Sequence, residues 1–598
     1  MSHVVATAGH VDHGKSTLIR AVTGIEPDRW AEEKRRGATI DLGFAWTTLA
    51  SGREVSFVDV PGHERFLGNM LAGLGPAPVV CFVVAADEGW QAQSSDHRDA
   101  VAALGINRGV IVLSRVDRAP ERVEQVAREV RQELAATGLH DAPVVAVSAV
   151  DGTGLEEFRT VMDAVLASTP EPDPTDRVRL WVDRAFSIKG AGTVATGTLG
   201  AGTLSVDQTL SLIGDTSASV TVRGLQSHNS TTPRLLPVTR AAINLRGVSA
   251  DQISRGEALV TLGAWPTAHE FDLRRTTGPA FTEVPTGVVV HVGSAAFPAR
   301  LRPFDDHHAR LRIDRSIPVI PGDRVVLRYP AGEVVLGGGR ILDIDPHPLT
   351  RRGDSARHTA WLRSLPDDGD ATSLVIRHGA VSTNRLKQLG LLKDGTAEPT
   401  STKVLELAGW WVHQPQLTSW VEAVRSAVAE EHHKNPMAPG LAVGAATEVL
   451  GIADPTLVQA VIARTGLAQA NGYLAQPTHA PDLGPAETGL RALEQHLSDH
   501  PFEAPEAYDL QDWGLGPKEL ATAERLGRVL RLGDGVVVLP ATPALAMREL
   551  AKLPQPFTTS QARQAWGTTR RVAIPLLEHL DARGWTTRLD GSLRQIKR

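Results

Sequence analysis

Residues 9–17 read GHVDHGKST directly after the apolar run Val4, Val5, Ala6. A loop of this spacing leaves a chain few folds to choose from. Gly9 and Gly14 let the backbone curl so that successive N–H groups face phosphate oxygens at a helix N-terminus. Lys15 is placed to reach the outer phosphates, and the Ser16 hydroxyl to ligate Mg2+. Asp12, His13 and Thr17 complete the loop as nucleotide-contacting candidates. Read alone, the motif is also compatible with an ordinary glycine turn opening a helix. The elements that follow it argue against that.

Asp59-Val60-Pro61-Gly62-His63 comes after the β-like Val55, Phe57 and Val58. An aspartate there can hold Mg2+ through water, and Gly62 lets a backbone N–H approach a γ-phosphate. His63 falls where a water-positioning group is required and is the catalytic candidate. Between the two motifs, Thr39 of Arg36-Gly37-Ala38-Thr39-Ile40 offers a second hydroxyl for the metal, in a segment that loss of the γ-phosphate would release. Ser114-Arg115-Val116-Asp117 follows the buried-strand run Val110–Leu113. Asp117 can accept from N1–H and the 2-amino group of guanine, which adenine lacks, so the expected cofactors are GTP and GDP. The usual motif is Asn-Lys-x-Asp: here Ser114 offers a shorter tether, and Arg115 a stem and planar head over the ring. Ser148-Ala149 supplies the backbone N–H expected near O6. His10 and His13 suggest a metal pair, but without cysteine or acidic companions a zinc site is not expected.

The motifs GHVDHGKSTL, RGATIDLGF and DVPGHERF resemble those of the translational GTPases, and with the rest of the chain they are most similar to the bacterial selenocysteine-specific elongation factors. The resemblance implies that Val11 and Ile40 form an apolar gate holding water from His63 until the ribosome engages. It also implies two β-barrels after the GTPase domain, the first carrying FSIKGAGTVATGT at 186–198.

The chain has 598 residues, enough for roughly four domains on length alone. Its single cysteine, Cys81, lies in the apolar run Val79–Val84, which excludes disulfides and cysteine-rich metal sites and reads as a buried strand residue. No apolar stretch approaches a membrane span, so a cytoplasmic protein with no membrane partner is expected. The net charge of −6 argues against indiscriminate nucleic-acid binding by the whole molecule, so any RNA contact must be local.

The expected fold is multidomain: an α/β P-loop GTPase domain, two β-barrels, then tandem α+β winged-helix domains. Strand runs alternate with helical stretches over 1–172, and Thr169–Pro174 reads as a linker. Short alternating runs such as Val178–Ile188, Ala218–Leu225 and Asp323–Arg328 suit barrels at 176–265 and 266–348. Beyond 350 four similar β endings occur at Gly409, Gly472, Gly535 and Gly591, spaced by 63, 63 and 56 residues. That spacing suits winged helices at 350–414, 415–480, 481–545 and 546–598. A spacer role is expected for the first three.

On the first barrel Leu180, Val182, Arg184, Phe186 and Ile188 share one face at period two. An arginine there needs an anion or a wet cleft. Chemistry alone favours an internal salt bridge, to Asp183 or Asp207 after a bulge. The resemblance instead implies that Arg184, Arg240 and Asp41 receive a selenocysteyl side chain, whose selenol is ionised at neutral pH, and that seryl-tRNA is rejected because two buried charges would stay unpaired.

Residues 557–598 hold eight Lys/Arg against three acids. Thr559 or Ser560 can cap a first helix ended by Gly567, and a second helix turns Ala573, Leu576, Leu577 and Leu580 inward. Arg571 then falls nearly opposite the apolar stripe with Arg570 at its flank. With Arg563, Arg588 and Arg594 these form the candidate RNA-hairpin set, a solvated basic face being the plainer reading.

The expectation is a monomeric GTP-dependent factor carrying selenocysteyl-tRNA to the ribosome at UGA codons marked by an mRNA hairpin, hydrolysing GTP to GDP and phosphate. The alternatives are a translational GTPase for another tRNA and a nucleotide-switched DNA-binding regulator.

Overall fold

The computed structural model describes residues 2–27, 39, 41–190, 192–215, 217–330, 334–393, 398–435, 438–477, 483–590 and 592–597. Ile40 with Arg36–Ala38, Gly591 and Arg598 lie outside the described residues. The chain divides into two compact units, 1–404 and 405–598.

The first unit opens with a six-stranded sheet: β1 Ser2–Ala8, β2 Gly43–Thr48, β3 Glu54–Asp59, β4 Val79–Ala85, β5 Gly109–Ser114 and β6 Val144–Ala146, in the order β2-β3-β1-β4-β5-β6. All pairings are parallel except that of β2 on β3. β4 and β5 are buried along their whole length, because helices cover both faces. Cys81 is accordingly fully buried. Helix α1, Lys15–Thr23, follows β1 after the loop 9–14, with Gly14 at its N-cap in the left-handed region, φ 83°.

Six strands close the first barrel in the order Thr209–Ile213, Ala258–Thr261, Arg179–Ile188, Gly192–Leu199, Thr239–Arg246 and Ala218–Ser227, the last pairing back to the first. The second barrel also has six, ordered Ala268–Thr277, His308–Ile317, Ala295–Pro303, Gly287–Val292, Arg324–Arg328 and Val335–Asp343, which returns to the first. Register shifts interrupt both barrels, and one of them bears on the site. A bulge between Val182 and Arg184 inserts a residue. Leu180 and Val182 stay in the core, whereas Phe186 and Ile188 are exposed. The shared face expected from period two is thus broken at Arg184, which turns outward with the latter pair.

From Asp354 to Ile596 the same order of helices and a terminal hairpin recurs four times. Three hairpins turn on consecutive left-handed residues, Ala408-Gly409, Asn471-Gly472 and Asp534-Gly535. That is the type I′ geometry, and it explains the repeated glycine. In the last repeat Thr558, not Thr559 or Ser560, caps the first helix through a capping box with Gln561. Ala573, Leu576, Leu577 and Leu580 are fully buried, as expected. This repeat packs on the one before it: Trp566 stacks on Phe502 at 5.8 Å, and Val572 joins Val536 and Val538. Among the described residues no single helix is long and apolar enough to cross a membrane.

Candidate functional site

At the C-terminal edge of the sheet lies a cavity of about 650 Å³ lined by the glycine loop, Ser114, Arg115, Asp117, Arg118 and Ala149. The loop conformation depends on glycine. Gly9 has φ 128°, and a Cβ there would sit 2.1 Å from the Val83 carbonyl oxygen. A Cβ on Gly62 would meet Lys15 Nζ and Val11 N at 2.5 Å. The second glycine motif therefore approaches the first as closely as backbone permits. Lys15 is almost buried, and its Nζ donates to the carbonyls of Gly9 at 2.9 Å and His10 at 2.8 Å.

Four oxygen side chains converge beside the loop. Ser16 Oγ donates to Asp59 Oδ2 at 2.6 Å and lies 3.1 Å from Thr39 Oγ1. Thr7 Oγ1 donates to Asp59 Oδ1 at 2.7 Å and accepts from Val60 N–H. Burial raises the Asp59 carboxyl above its usual range, with Lys15 and the hydroxyls acting the other way. A desolvated carboxylate flanked by hydroxyls is an all-oxygen donor set that fits a hard divalent cation.

Sequence reasoning missed His97. It is fully enclosed on the helix Ala92–Leu104, and its Nδ1 accepts the Gly9 N–H at 3.1 Å. Burial holds it well below the usual histidine range, so it stays neutral. Gln93 of the same helix accepts Val11 N–H at 3.2 Å. No motif spacing announces either residue, because they lie more than eighty positions from the loop they support. His63 is half-buried, with its ring 6.2 Å from Phe66 and Nδ1 accepting Arg65 N–H at 3.2 Å. It is not among the residues lining the cavity, whereas Val11 is.

At the base end Ser114 Oγ donates to the His13 carbonyl at 2.6 Å. Arg115 reaches the Asp12 carbonyl and pairs with Glu88 at 2.7 Å. Asp117 lines the cavity, as does Ala149. Ser148 does not supply an N–H to it, since that group donates to the Thr153 carbonyl at 2.9 Å. The expectation that His10 and His13 lack an acidic companion is also corrected. Glu88 lies 3.6 Å from His13 Nε2, and the three side chains gather closely enough to hold an ion. The Arg115 guanidinium already supplies the cation that Glu88 holds, and burial lowers His13 to about 3.

A second cavity, about 300 Å³, opens between β2 and the first barrel. Arg184 and Arg240 of the expected trio line it, and Asp41 is bonded to Arg184 without being among the lining residues. Arg184 Nη2 lies 2.8 Å from Asp41 Oδ2, and Arg255 stands 3.7 Å from the same carboxylate. Arg240 pairs with Asp183 and lays its guanidinium 4.1 Å over the Phe44 ring. Both arginines therefore have carboxylate partners. Rejection of a neutral side chain by two unpaired charges does not apply, because an incoming anion must exchange with an internal one. Asp183, a candidate partner for Arg184, serves Arg240 instead. His228 on a barrel turn stacks on Trp46 and bonds Ser56 Oγ at 2.7 Å, fixing the barrel against β2 and β3.

In the last repeat the structure divides the basic set. Arg570 and Arg588 are exposed and Arg563 is half-buried. Arg571 is turned inward: Nη2 donates to the Ala504 and Pro505 carbonyls at 2.6 and 3.0 Å, and Nε lies 3.0 Å from Glu506. Arg594 is buried on Asp581 at 2.8 Å and Thr559 at 3.0 Å. These two arginines are structural, and their place in the hairpin set is withdrawn.

Residues 2–171 match the family description Elongation factor Tu GTP binding domain. Residues 281–348 match Selenocysteine-specific elongation factor, beta-barrel domain, and 548–592 match Elongation factor SelB, winged helix. The winged-helix match sets aside the DNA-binding regulator. The chain is 31% identical over 649 residues to the selenocysteine-specific elongation factor of Desulfomicrobium baculatum, covering all of both chains. It is 30% identical over 611 residues to that of Escherichia coli strain K12, covering 98% of this chain and 97% of the other. A crystal structure of bacterial selenocysteine-specific elongation factor EF-Sec superposes with a TM-score of 0.77 at 25% identity, over the whole of both chains. With a GTPase domain, two barrels and a winged-helix tail in that order, the chain belongs to the selenocysteine-specific elongation factors, a family of translational GTPases.

Proposed function

We propose that this chain carries selenocysteyl-tRNA to the ribosome in its GTP form, in the cytoplasm and as a monomer, at UGA codons marked by an mRNA hairpin bound through the last winged helix. The observation that carries the reading is that Arg184 and Arg240 both line a cavity walled by the GTPase domain and the first barrel, with Arg184 bonded to Asp41 of the GTPase domain. A switch that moves Asp41 with the nucleotide would make or break its pair with Arg184, which links GTP to cargo.

Ser16, Thr39 and Asp59 would hold Mg2+, which when bound neutralises charge on the β- and γ-phosphates. Lys15 and the loop N–H groups bind and orient those phosphates. Val11 excludes water from the γ-phosphate end. His63, on turning away from Phe66, orients the attacking water from its ring nitrogen. Asp117 and the Ala149 N–H select guanine.

Filter binding of selenocysteyl-, seryl- and cysteinyl-tRNA with GTP and with GDP tests the reading. Retention of selenocysteyl-tRNA in GTP alone is expected. Equal retention of all three would favour a factor for a different tRNA.

A further inference from the structure

The base end of the first cavity says more about which purine atoms are read, given that this cavity is the guanine site. Guanine presents acceptors at N7 and O6 and donors at N1 and its 2-amino group. A contact to N7 therefore needs a protein donor. Ser114 is buried, and its hydroxyl has one hydrogen. That hydrogen goes to the His13 carbonyl at 2.6 Å, leaving only lone pairs for the cavity. The Arg115 guanidinium is drawn away along the loop by the Asp12 carbonyl, Glu88 at 2.7 Å and Asp87 at 3.4 Å. Arg118 is drawn toward the same Asp87 at 3.5 Å. In the facing loop, Val150 and Asp151 N–H both donate to Ser148 Oγ, and Ser148 N–H donates to Thr153. None of these bonds takes up Ala149 N–H, which can meet O6.

We propose that this chain reads guanine at O6, N1 and the 2-amino group but not at N7, so that a 7-deazaguanine nucleotide binds as well as guanine does. The departure of Ser114-Arg115 from the usual Asn-Lys pair is its cause. An asparagine would bring a second N–H, whereas the serine hydroxyl is spent on the loop. With N7 replaced by C–H, the Ser114 lone pairs face a weak donor in place of an acceptor.

The test is calorimetric titration of the full chain with GDP, 7-deaza-GDP and inosine diphosphate. GDP and 7-deaza-GDP should agree within about twofold, and inosine diphosphate, lacking the 2-amino group, should bind about tenfold or more weaker. Ser114→Asn should open a gap of about fivefold between GDP and 7-deaza-GDP. A loss of about tenfold on 7-deaza-GDP in the unaltered chain, with the inosine penalty intact, would overturn the inference and leave the guanine site standing. Absence of the inosine penalty, together with unchanged base preference in Asp117→Ala, would overturn the guanine site itself.

Discussion

Arg184 Nη2 stands 2.8 Å from Asp41 Oδ2, so a barrel arginine is neutralised by a carboxylate from the GTPase domain. An anionic side chain entering the cavity competes with Asp41 for that guanidinium. Arg184→Ala should therefore narrow the gap between selenocysteyl- and seryl-tRNA by roughly 1–3 kcal/mol with nucleotide affinity unchanged. Asp41→Asn, which removes the charge that neutralises Arg184, should widen it. Filter binding in GTP measures both, and parallel losses in the two variants would place the selectivity elsewhere.

His63 makes its hydrogen bond within its own loop, and its ring lies against Phe66. In the proposed reaction it therefore acts on the attacking water and not on GTP binding. His63→Ala should bind GTP as the unaltered chain does and lose about a hundredfold or more of ribosome-stimulated hydrolysis. Single-turnover hydrolysis beside a GTP titration separates the two. Weakened GTP binding with normal turnover would refute the assignment.

Much of this was legible in the sequence where a function dictates local spacing. Gly9, Gly14 and Lys15 are fixed by the turn they make, and the Ala408-Gly409 and Asn471-Gly472 pairs by the handedness of a hairpin. What alternation could not show is one extra residue between Val182 and Arg184, which sends Phe186 and Ile188 to the surface. Helical phase likewise gave Arg571 an angle on its own helix, but not the carbonyls that Ala504 and Pro505 bring to it from the preceding repeat. His97 and Glu88 were invisible for the same reason: their partners are supplied by the sheet order, not by neighbouring sequence. The cap shifted by one because three consecutive hydroxyls, Thr558 to Ser560, differ only in which N–H they reach.

Asp343, at the end of the second barrel, is pushed up to about 7, first by burial and then by Asp272. Asp345 N–H and Arg310 favour its charged form, and Asp345's own charge opposes it. An unfolded aspartate ionises near pH 3.9. Between about pH 4 and pH 7 the native chain thus holds a proton that the unfolded chain lacks, and stability falls as pH rises through that window. Asp343→Asn can still accept from Asp345 and cannot ionise. Its melting temperature should meet that of the unaltered chain near pH 4 and exceed it at pH 7.5. Buried histidines such as His291 are common to both proteins, so the difference isolates Asp343. Parallel curves would mean that Asp343 is ionised throughout.

Arg570 and Arg571 are adjacent on one helix and have opposite tasks. Arg570 is exposed at the first position of Arg570–Ala582, where it can meet phosphate, while Arg571 holds the loop 504–506 of the preceding repeat. In the unit 405–598, Arg570→Ala should weaken binding of the mRNA hairpin by about 1 kcal/mol and reduce the slope of log K against log salt by about 1. Arg571→Ala should instead lower the melting temperature, because two carbonyls and Glu506 lose a charged donor. Its hairpin affinity at low temperature should stay within about twofold of the unaltered unit. A fragment cut at residue 546 leaves Trp566 without Phe502 and Val572 without Val536 and Val538, so it should melt lower than the whole unit. Hairpin titrations at several salt concentrations beside thermal melts check all three. Loss of affinity in Arg571→Ala at unchanged melting temperature would return that arginine to the RNA surface.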